Sequence, residues 1–550
     1  MSKVFYAQKA LNQVPRLLGN LDRNAFSPTY GCFHRDYWLD KTSDFPDAVR
    51  QFGVHALALV YKYQMPGNIY YNKEKVRDWT IAAMDFWSKI QHSDGSFDEF
   101  YPYERGWVGP TAFTNYTICE SFELLREEIP EPAKKRILTA IKKAAYFIAK
   151  GESEEDHLAN HHAMACLSLW KSYKVLNDDY LKGAFEKAFE VFLTYHYEDE
   201  GWSREYDGVD PGYLSATVSF LGKVYKDSKD SRILKVLQQS VQFSSNFVYP
   251  NGFYAGSLGS RNTLHFYPHG YEILASEIPL AASIAKKMRE ALGEDKLVPP
   301  EIISDRYVFY RVPEFLLAYL DCNDSLTTKE KLPYEESNIH KYFERSRIFV
   351  HSDTTRHIAC NLAKGGIIKI FNKSDSKLIY NDCGIICELD NGKIITSQWV
   401  DDSYEAKVTE NGWTVTGNMN VVPSNKLFTP LKNIIFRIIL VLTGWQPALA
   451  HFIKGKIRKS LILGQRNVPV TFSRKLELLK DQVSVLTTIE LGKGFKLKKL
   501  SIGDEFFIRY VPQSRYFQSQ ELDISGWTAG MEDIKSINTK RVFEKSFTIG

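Results

Sequence analysis

The sequence predicts an α+β multidomain protein, with an N-terminal incomplete (α/α) toroid followed by a C-terminal antiparallel β-sandwich. From about residue 45 to 320, apolar residues recur at three- and four-residue spacing, as in DAVRQFGVHALALVYKY and PAKKRILTAIKKAAYFIAKG. After about residue 340 they alternate with polar residues, and DNG and ENG mark hairpin turns. We therefore expect a toroid at 1–325, a linker at 326–345 and a β-sandwich at 346–550.

Short loops that pair glycine with an aromatic residue separate the predicted helices. DGSF, EGWS and NGFY begin at residues 94, 200 and 251, and the segment HLANHH lies between the first two. These four segments follow one another at intervals of about 50 residues, the length of a helical hairpin with its loops, which indicates a degenerate repeat of αα units. Closing such a repeat into a toroid collects the loops from one end of every hairpin around a single cleft.

Composition narrows the class of protein. The 550 residues carry 70 Lys+Arg and 66 Asp+Glu, and 44% are apolar, which argues against a disordered chain, a collagen-like chain or a dedicated nucleic-acid binder. The 7 cysteines are scattered without a CxxC pair, so a disulfide framework is not expected and a reducing compartment fits better. The N-terminal segment shows no secretory signal. We therefore expect a cytoplasmic protein.

One segment, 426–463, fits neither half of the chain. Between Lys426 and Lys459 it carries seven basic residues and no acidic one, around the apolar run IIFRIILVL. That run is shorter than the roughly 20 apolar residues that span a bilayer as a helix. Two interpretations remain. Residues 426–459 form an interfacial helix on the inner face of a membrane, or an insertion packs an apolar helix on its own domain and leaves a basic face to solvent.

Four clusters of polar and aromatic residues carry the candidate chemistry, and three of them fall at the same phase of the helical repeat. Any single histidine here is more often a core or capping residue than a catalyst, but convergence of three clusters favours a functional site. The clusters are Asn160, His161 and His162; Arg204, Glu205, Tyr206, Asp207, Asp210 and Tyr213; Arg261, Asn262, His265, Tyr267, His269 and Tyr271; and His34, Arg35, Asp36 and Trp38.

Several common chemistries are not favoured. His157 and His161 have i, i+4 spacing, but HLANH lacks the Glu of a HExxH zinc site, so neither a catalytic metal nor another cofactor is expected. A serine nucleophile elbow, a P-loop and a G-x-G-x-x-G fingerprint after a strand are all missing. Acyl transfer, nucleotide chemistry and dinucleotide redox chemistry therefore rank low.

Three features together resemble the heparinase II/III-like polysaccharide lyases and their relative, dermatan sulfate epimerase. They are the helical repeat with its Asn-His pair at Asn160, the loop DGVDPGY at 207–213 and the antiparallel β module. This resemblance implies abstraction of the proton on C5 of a uronate, with an Asn or His side chain bound to the carboxylate and Tyr and His as base and acid. One departure stands out. The stretch RHIACNLAKGG keeps His357 but lacks the acidic partner usual at the start of the β module.

The residue roles follow from this chemistry, because the enediolate that forms needs hydrogen-bond donors or cations around the carboxylate. Asn160, with Arg204 or Arg261, would supply them. The candidate acids and bases are His161, His162, Tyr213 and His265, and the remaining substrate-binding candidates are Glu205, Tyr206, Tyr267, His269, His34, Arg35 and Trp38.

The expected substrate is an acidic oligo- or polysaccharide, in the making or tailoring of a cell-surface or lipid-linked glycan. Reprotonation on the opposite face of the sugar gives a C5-epimerase, and loss of the 4-linked substituent gives a lyase.

Two alternatives stay open. A glycoside hydrolase on the same toroid would use two carboxylates about 5–9 Å apart, from among Asp94, Asp98, Glu99, Glu205, Asp207 and Asp210. The acidic residues of DGSFDEF could equally cap helices. A non-catalytic glycan-binding protein at a membrane surface would not bring Asn160, His161, Tyr213 and His265 to one pocket.

Overall fold

The fold class predicted from the sequence is confirmed: helices fill the first part of the chain and two antiparallel sheets fill the second. The computed structural model describes residues 2–105, 108–151, 158–326, 330–422, 429–458, 466–503, 514–522 and 526–550. His157 lies outside these ranges, as do residues 426–428 and 459–463 at the two ends of the predicted insertion.

The helical part ends at Asp321 and also contains a small hairpin of two strands, β1 (His196–Tyr197) and β2 (Trp202–Ser203). Its α-helices are α1 (Val4–Leu11), α2 (Val14–Asn20), α3 (Arg35–Trp38), α4 (Gly53–Lys62), α5 (Glu74–Lys89), α6 (Val108–Leu125), α7 (Glu131–Ala149), α8 (Ala159–Leu176), α9 (Asp179–Leu193), α10 (Pro211–Ser228), α11 (Ser231–Ser244), α12 (Pro268–Leu274), α13 (Pro279–Gly293) and α14 (Val308–Asp321).

Alternate helices form an inner ring. The helices α4, α6, α8, α10, α12 and α14 contact one another in turn, and α14 returns to contact α4. Helices such as α4 and α10 are buried on nearly every side, whereas the outer helices α7 and α11 bury a single apolar stripe. The contact between α14 and α4 closes the inner ring between segments far apart in the chain, which local periodicity cannot reveal.

Two antiparallel sheets follow. The first has the order β3-β4-β5-β6-β7, and the second has the order β15-β14-β8-β9-β11-β12-β13-β16, with β10 paired to β11. The strands are β3 (Ile339–Phe343), β4 (Ile348–Ser352), β5 (Arg356–Asn361), β6 (Ile367–Asn372), β7 (Leu378–Asp382), β8 (Ile385–Leu389), β9 (Ile394–Thr396), β10 (Glu405–Thr409), β11 (Gly412–Val421), β12 (Asn467–Leu478), β13 (Val483–Leu491), β14 (Leu497–Ile502), β15 (Trp527–Thr528) and β16 (Val542–Ile549).

The first sheet lies between the helices and the second sheet. Val350 and Phe371 belong to the apolar core of the toroid, while Phe349 and Ile370 belong to the core between the sheets. Because both faces of the first sheet are covered, β5 is buried at every position and β6 at all but its last. The helices and the first sheet therefore share one apolar core, and the two sheets share a second.

The structure adds elements around this frame. The strand β3 lies inside the stretch predicted as a linker, 326–345, and pairs with β4. Two helices, α15 (Pro430–Thr443) and α16 (Pro447–Arg458), stand between β11 and β12, and α17 (Met531–Lys540) packs on β14 and β16. None of the described helices is both long enough and apolar enough to cross a bilayer.

Candidate active site

The start of α8 is joined to the loop before α10 by a pair of hydrogen bonds. Asn160 donates from its backbone N–H to Oε1 of Glu205 at 2.6 Å and from Nδ2 to Oε2 at 2.8 Å. The backbone N–H of Ala159 also donates to the carbonyl of Arg204 at 3.1 Å. Asn160 and Glu205 are both buried, so the second carboxylate oxygen fixes the orientation of the Asn160 amide.

The DGVDPGY loop turns directly into α10. Asp210 is the N-cap residue and accepts the backbone N–H of Tyr213 at 3.2 Å, and Pro211 occupies the first turn. A Cβ on Gly212 would lie 2.5 Å from the side chain of Thr263, so a glycine is needed for the loop before α12 to approach. The backbone N–H of Arg261 donates to the same Asp210 carboxylate at 2.9 Å. The motif thus fastens two loops together and places Tyr213 at the start of α10.

Burial raises the pKa of Asp210 above its ordinary value, although the backbone donors of Arg261 and Tyr213 oppose that effect. The carboxyl group accepts these two backbone N–H groups and serves as the cap of α10.

Arg261 ties the third cluster to the second. Its guanidinium lies over the ring of Tyr206 at 4.4 Å and pairs with Asp207 at 2.9 Å. The ring of Tyr206 in turn packs on that of Tyr213, with centroids 6.1 Å apart. Three of the four predicted clusters therefore meet, through Glu205, Tyr206 and Arg261.

The two histidines after Asn160 face different neighbours, as the angle of about 100° between successive helical side chains requires. The ring of His161 meets Phe113 edge-on at 5.5 Å. The ring of His162 stacks on Tyr195 at 4.8 Å. Phe113 also contacts Phe220 of α10, so His161 faces the inner helices of the toroid.

The loop before α12 carries the other predicted residues of the third cluster. His265 packs against Tyr516 with ring centroids 5.3 Å apart. Tyr267 is half-buried below the guanidinium of Arg311 at 4.5 Å, and burial raises the pKa of its hydroxyl. His269 lies in α12 itself, where Nε2 is 2.6 Å from Asp321 and its backbone N–H donates to Glu314. His269 thus belongs to the ion-pair network of α12 and α14.

The β part contributes two residues that the sequence analysis missed. Lys364 Nζ donates to the carbonyls of Ser257 and Gly259 at 2.9 and 2.7 Å and to Oδ1 of Asn262 at 2.5 Å. Asn361 donates to the carbonyl of Leu258 at 2.7 Å. These bonds hold the loop that carries Arg261. In the sequence, the two glycines after Lys364 indicate a tight turn, but they do not indicate that Lys364 binds a loop of the toroid.

His357, the surviving candidate of the β module, does not reach these loops. It is fully buried in β5, where its ring contacts Tyr334 and Phe371.

The fourth cluster lies apart from these contacts. His34 accepts the backbone N–H of Asp47 at 3.0 Å, and burial, with Arg50 and Arg306 nearby, lowers the pKa of its ring to about 3. Arg35 is exposed and pairs with Asp40, and the indole of Trp38 donates to the carbonyl of Asn20. These contacts are local and structural.

The Asp side chains of the acidic loop DGSFDEF bind groups of the same stretch of chain. Asp94 accepts the backbone N–H and the hydroxyl of Ser96 and pairs with Arg105. Asp98 accepts the backbone N–H groups of Tyr103 and Glu104. These are hydrogen bonds and an ion pair within the loop, and neither Asp94 nor Asp98 is the N-cap of a described helix. Within the described ranges, no group of three or more His, Cys, Asp or Glu side chains is arranged to hold a metal ion.

Comparison with known proteins supports the resemblance drawn from the motifs. Residues 63–268 match the family described as ulvan lyase N-terminal domain, a range that includes Asn160, Tyr213 and Arg261. No curated protein matches the chain significantly.

Among solved structures, the chain is similar to a xanthan lyase from Paenibacillus, with a TM-score of 0.55 and 11% identity over 90% of this chain and 46% of that one. It is also similar to the chondroitin AC lyase of Streptomyces coelicolor A3 in complex with chondroitin sulphate, with a TM-score of 0.53 and 10% identity over 90% of this chain and 68% of that one. This chain thus spans less than half of the xanthan lyase. At such identities the likeness establishes the fold, and the predicted resemblance to polysaccharide lyases is confirmed at that level.

Proposed function

We propose that the protein acts on uronate-containing glycans by removing the proton on C5, as a lyase or a C5-epimerase. The observation that carries the proposal is that contacts of Glu205 and of its neighbour Tyr206 join the loops with Asn160, Tyr213 and Arg261. Amide and guanidinium groups are the donors that an enediolate requires, and a buried site strengthens their effect.

In this mechanism Tyr213 or His161 takes the C5 proton, and the electron pair of the C5–H bond moves toward the carboxylate. The Asn160 amide, oriented by Glu205, stabilises the charge that develops there. In a lyase the C4–O bond then breaks, the C4–C5 double bond forms and a general acid, for which His265 is the candidate, supplies the proton of the leaving hydroxyl. In an epimerase a proton returns to C5 from the opposite face.

Three of the carboxylates considered for a hydrolase are less suited. Glu205 accepts two hydrogen bonds from Asn160, Asp207 pairs with Arg261, and Asp210 caps α10. Each of these groups already has a structural partner, which favours elimination or epimerisation over hydrolysis.

The test is incubation with a panel of uronate-containing glycans in heavy water, followed by mass spectrometry and ultraviolet absorbance. An unsaturated uronate product supports a lyase, and deuterium uptake without chain cleavage supports an epimerase. New reducing ends without unsaturation would contradict the proposal, as would an absence of both cleavage and deuterium uptake across the panel.

We also propose that α15 and α16 contact a membrane surface. One side of this pair packs on the toroid: Lys454 pairs with the buried Glu104 at 3.0 Å, Arg437 pairs with Asp44, and Arg105 donates to the carbonyl of Trp445. The other side exposes large apolar residues, which are Leu431, Ile434, Ile435, Ile438, Ile439, Val441, Leu442, Trp445, Leu449 and Phe452.

If the insertion only packed on its own domain, it would bury its apolar side and expose the basic one. Here Leu442 is 67% exposed and Trp445 is 61% exposed. Residues 429–458 contain no acidic residue, and Lys432 and Lys456 are exposed beside the apolar face. An apolar face with cations beside it matches a bilayer that contains anionic lipids. A membrane-held substrate, such as a lipid-linked or nascent cell-surface glycan, would fit this placement.

A further inference from the structure

A cleft of about 270 Å³ opens between the toroid and the β part, next to the candidate active site. Its toroid side is formed by Tyr197, Trp202, Arg204 and Asp207. Asp207 belongs to both places, since it lines the cleft while its carboxylate pairs with Arg261 at 2.9 Å. One ligand could therefore extend from the cleft to the cluster around Tyr213.

Arg204 has a firmly held backbone and an available side chain. Its N–H donates to the carbonyl of Tyr195 at 2.9 Å, and its carbonyl accepts the N–H of Ala159 at 3.1 Å. The side chain is half-buried and lines the cleft, and across the described ranges of the chain no carboxylate or carbonyl partner is found for its guanidinium. A half-buried guanidinium without a protein partner is suited to binding an anionic ligand group.

The other two arginines of the cleft are already engaged. Arg345 Nε pairs with Asp199 at 2.6 Å. Arg347 donates from Nη1 to the carbonyl of Tyr404 at 2.8 Å and from Nη2 to that of Asp402 at 3.1 Å. Arg204 is therefore the cation of this cleft best placed to bind a ligand.

Two aromatic rings form part of the wall beside Arg204. The centroids of Tyr197 and Trp202 lie 4.4 Å apart, and the indole N–H of Trp202 donates to Glu200 at 2.7 Å, which fixes its orientation. Trp202 is buried behind Tyr197, so the half-buried Tyr197 ring is the one that offers contact to a sugar ring, beside a cation for its acidic group. The volume lies below the roughly 300–1,000 Å³ of sites for drug-sized ligands and suits about one sugar unit.

We infer that this cleft is a subsite for an acidic sugar unit next to the one that reacts, with Arg204 bound to its carboxylate or sulfate. The inference rests on the proposed function, because it assigns the cleft to the same glycan chain. It adds a second requirement on the substrate. Besides the reacting uronate, the substrate carries a further negative charge near the reactive sugar.

The test measures equilibrium binding, by calorimetry, in the Tyr213→Phe background so that bound ligand is not consumed. The probes are a glucuronan tetrasaccharide and its carboxyl-reduced, neutral counterpart. Arg204→Gln should weaken binding of the acidic probe about tenfold or more, the size expected for a charge-assisted contact, and should leave the neutral probe unchanged. Arg204→Lys keeps the charge but loses the forked geometry, so we expect a smaller loss.

The matched control is Arg136→Gln, because Arg136 is an exposed arginine on the outer helix α7 that pairs with Asp85. It should bind both probes like the parent protein. A chondroitin tetrasaccharide and its 4-sulfated form separate the two anions: an Arg204-dependent gain on sulfation assigns the contact to sulfate, and equal Arg204 dependence for both assigns it to carboxylate.

Unchanged binding of the acidic probe by both Arg204 variants would overturn the inference, and so would an equal loss for the neutral probe. Neither result bears on C5 proton removal, which the heavy-water assay reports separately. If the parent protein binds none of the acidic probes, the subsite is also rejected, while turnover in the heavy-water assay would still uphold the proposed function.

Discussion

Glu205 accepts both the backbone N–H and the side-chain Nδ2 of Asn160, at 2.6 and 2.8 Å, in a buried setting. This bidentate arrangement directs one N–H bond of the Asn160 amide to Glu205, and the second N–H bond of that amide points away from Glu205. Glu205 is therefore a positioning residue in the proposed reaction, and Asn160 is the residue that would meet the substrate carboxylate.

Replacing Glu205 by Gln should lower kcat by about 10- to 100-fold and change KM less. The new amide can accept only one of the two bonds and turns its own N–H groups toward a donor, so Asn160 loses its fixed orientation. Steady-state kinetics on the glycan found in the panel checks this. Glu198→Gln is the control, because Glu198 is exposed and pairs only with Lys235 in the contacts described. A fall in thermal stability without any fall in kcat would show that Glu205 is structural only.

Tyr213→Phe should reduce turnover at least 100-fold while leaving the fold intact, as the loss of a general acid or base does. The comparison variant is Tyr6→Phe, since the Tyr6 hydroxyl donates to the buried Glu272, which also pairs with Arg289. That variant should lower stability and keep the turnover of the folded enzyme. Normal turnover in Tyr213→Phe would remove Tyr213 from the mechanism.

Lys364→Met should lower both stability and turnover. The substitution keeps the length of the side chain but leaves the carbonyls of Ser257 and Gly259 without their donor, which costs about 1–3 kcal/mol in a buried site. The loop that carries Arg261 then loses its attachment to the β part. Chemical denaturation and kinetics measure the two effects, and full activity in a destabilised variant would show that the loop keeps its shape unaided.

His357 predicts a pH effect on stability. Burial lowers the pKa of its ring to about 3, and Lys373 and His351 add to that effect. In the unfolded chain the pKa is about 6.5, so stability is complete above that value and is lost as the pH falls toward 3. Between pH 7 and pH 5 the loss from this residue is about 2 kcal/mol.

His357→Phe should lack that loss, because the ring keeps its contacts with Tyr334 and Phe371 but cannot take up a proton. Unfolding free energies of both proteins at pH 7 and pH 5 provide the test. The wild-type chain should lose more stability than the variant on acidification. Parallel pH curves would mean that the ring is charged, or reaches water, in the folded protein.

The exposed face of α15 predicts binding to anionic vesicles. The double substitution Ile438→Glu and Leu442→Glu should reduce co-flotation with phosphatidylglycerol–phosphatidylcholine vesicles at least tenfold, since it places two carboxylates in the apolar face. Ile69→Glu is the control, because Ile69 is an exposed apolar residue in the loop after α4. If the wild-type protein instead forms a dimer that the double substitution dissolves, the face is an interface between copies.

Much of the fold could be read from periodicity, because helix and strand patterns repeat over many residues. The strand β3 was not foreseen, since its sequence IHKYF buries only its last residue completely. The alternation expected of strands is also absent from β5, which is covered on both faces. Local sequence does not reveal what covers a strand.

The candidate site was predicted in part. The loops with Asn160, Tyr213 and Arg261 converge, and their motif residues explain why: Asp210 caps α10 and Gly212 admits Thr263. The loop with His34 contains the same residue types, but their side chains form local contacts. Arg204 lines the cleft beside the β part and lies apart from the contacts of Asn160, because successive side chains of an extended segment point to opposite sides. Contacts from the β part, such as Lys364, have no local signature.

The first sheet touches the toroid with one face and the second sheet with the other. Cutting the chain after the last toroid helix would strip Phe343, Ile348 and Phe371 from the helices and open that apolar surface to water. We expect the helical half expressed alone to aggregate, and the full chain to melt in a single cooperative transition. The helical half, which has the look of an independent catalytic domain, would thus depend on the β part to stay folded.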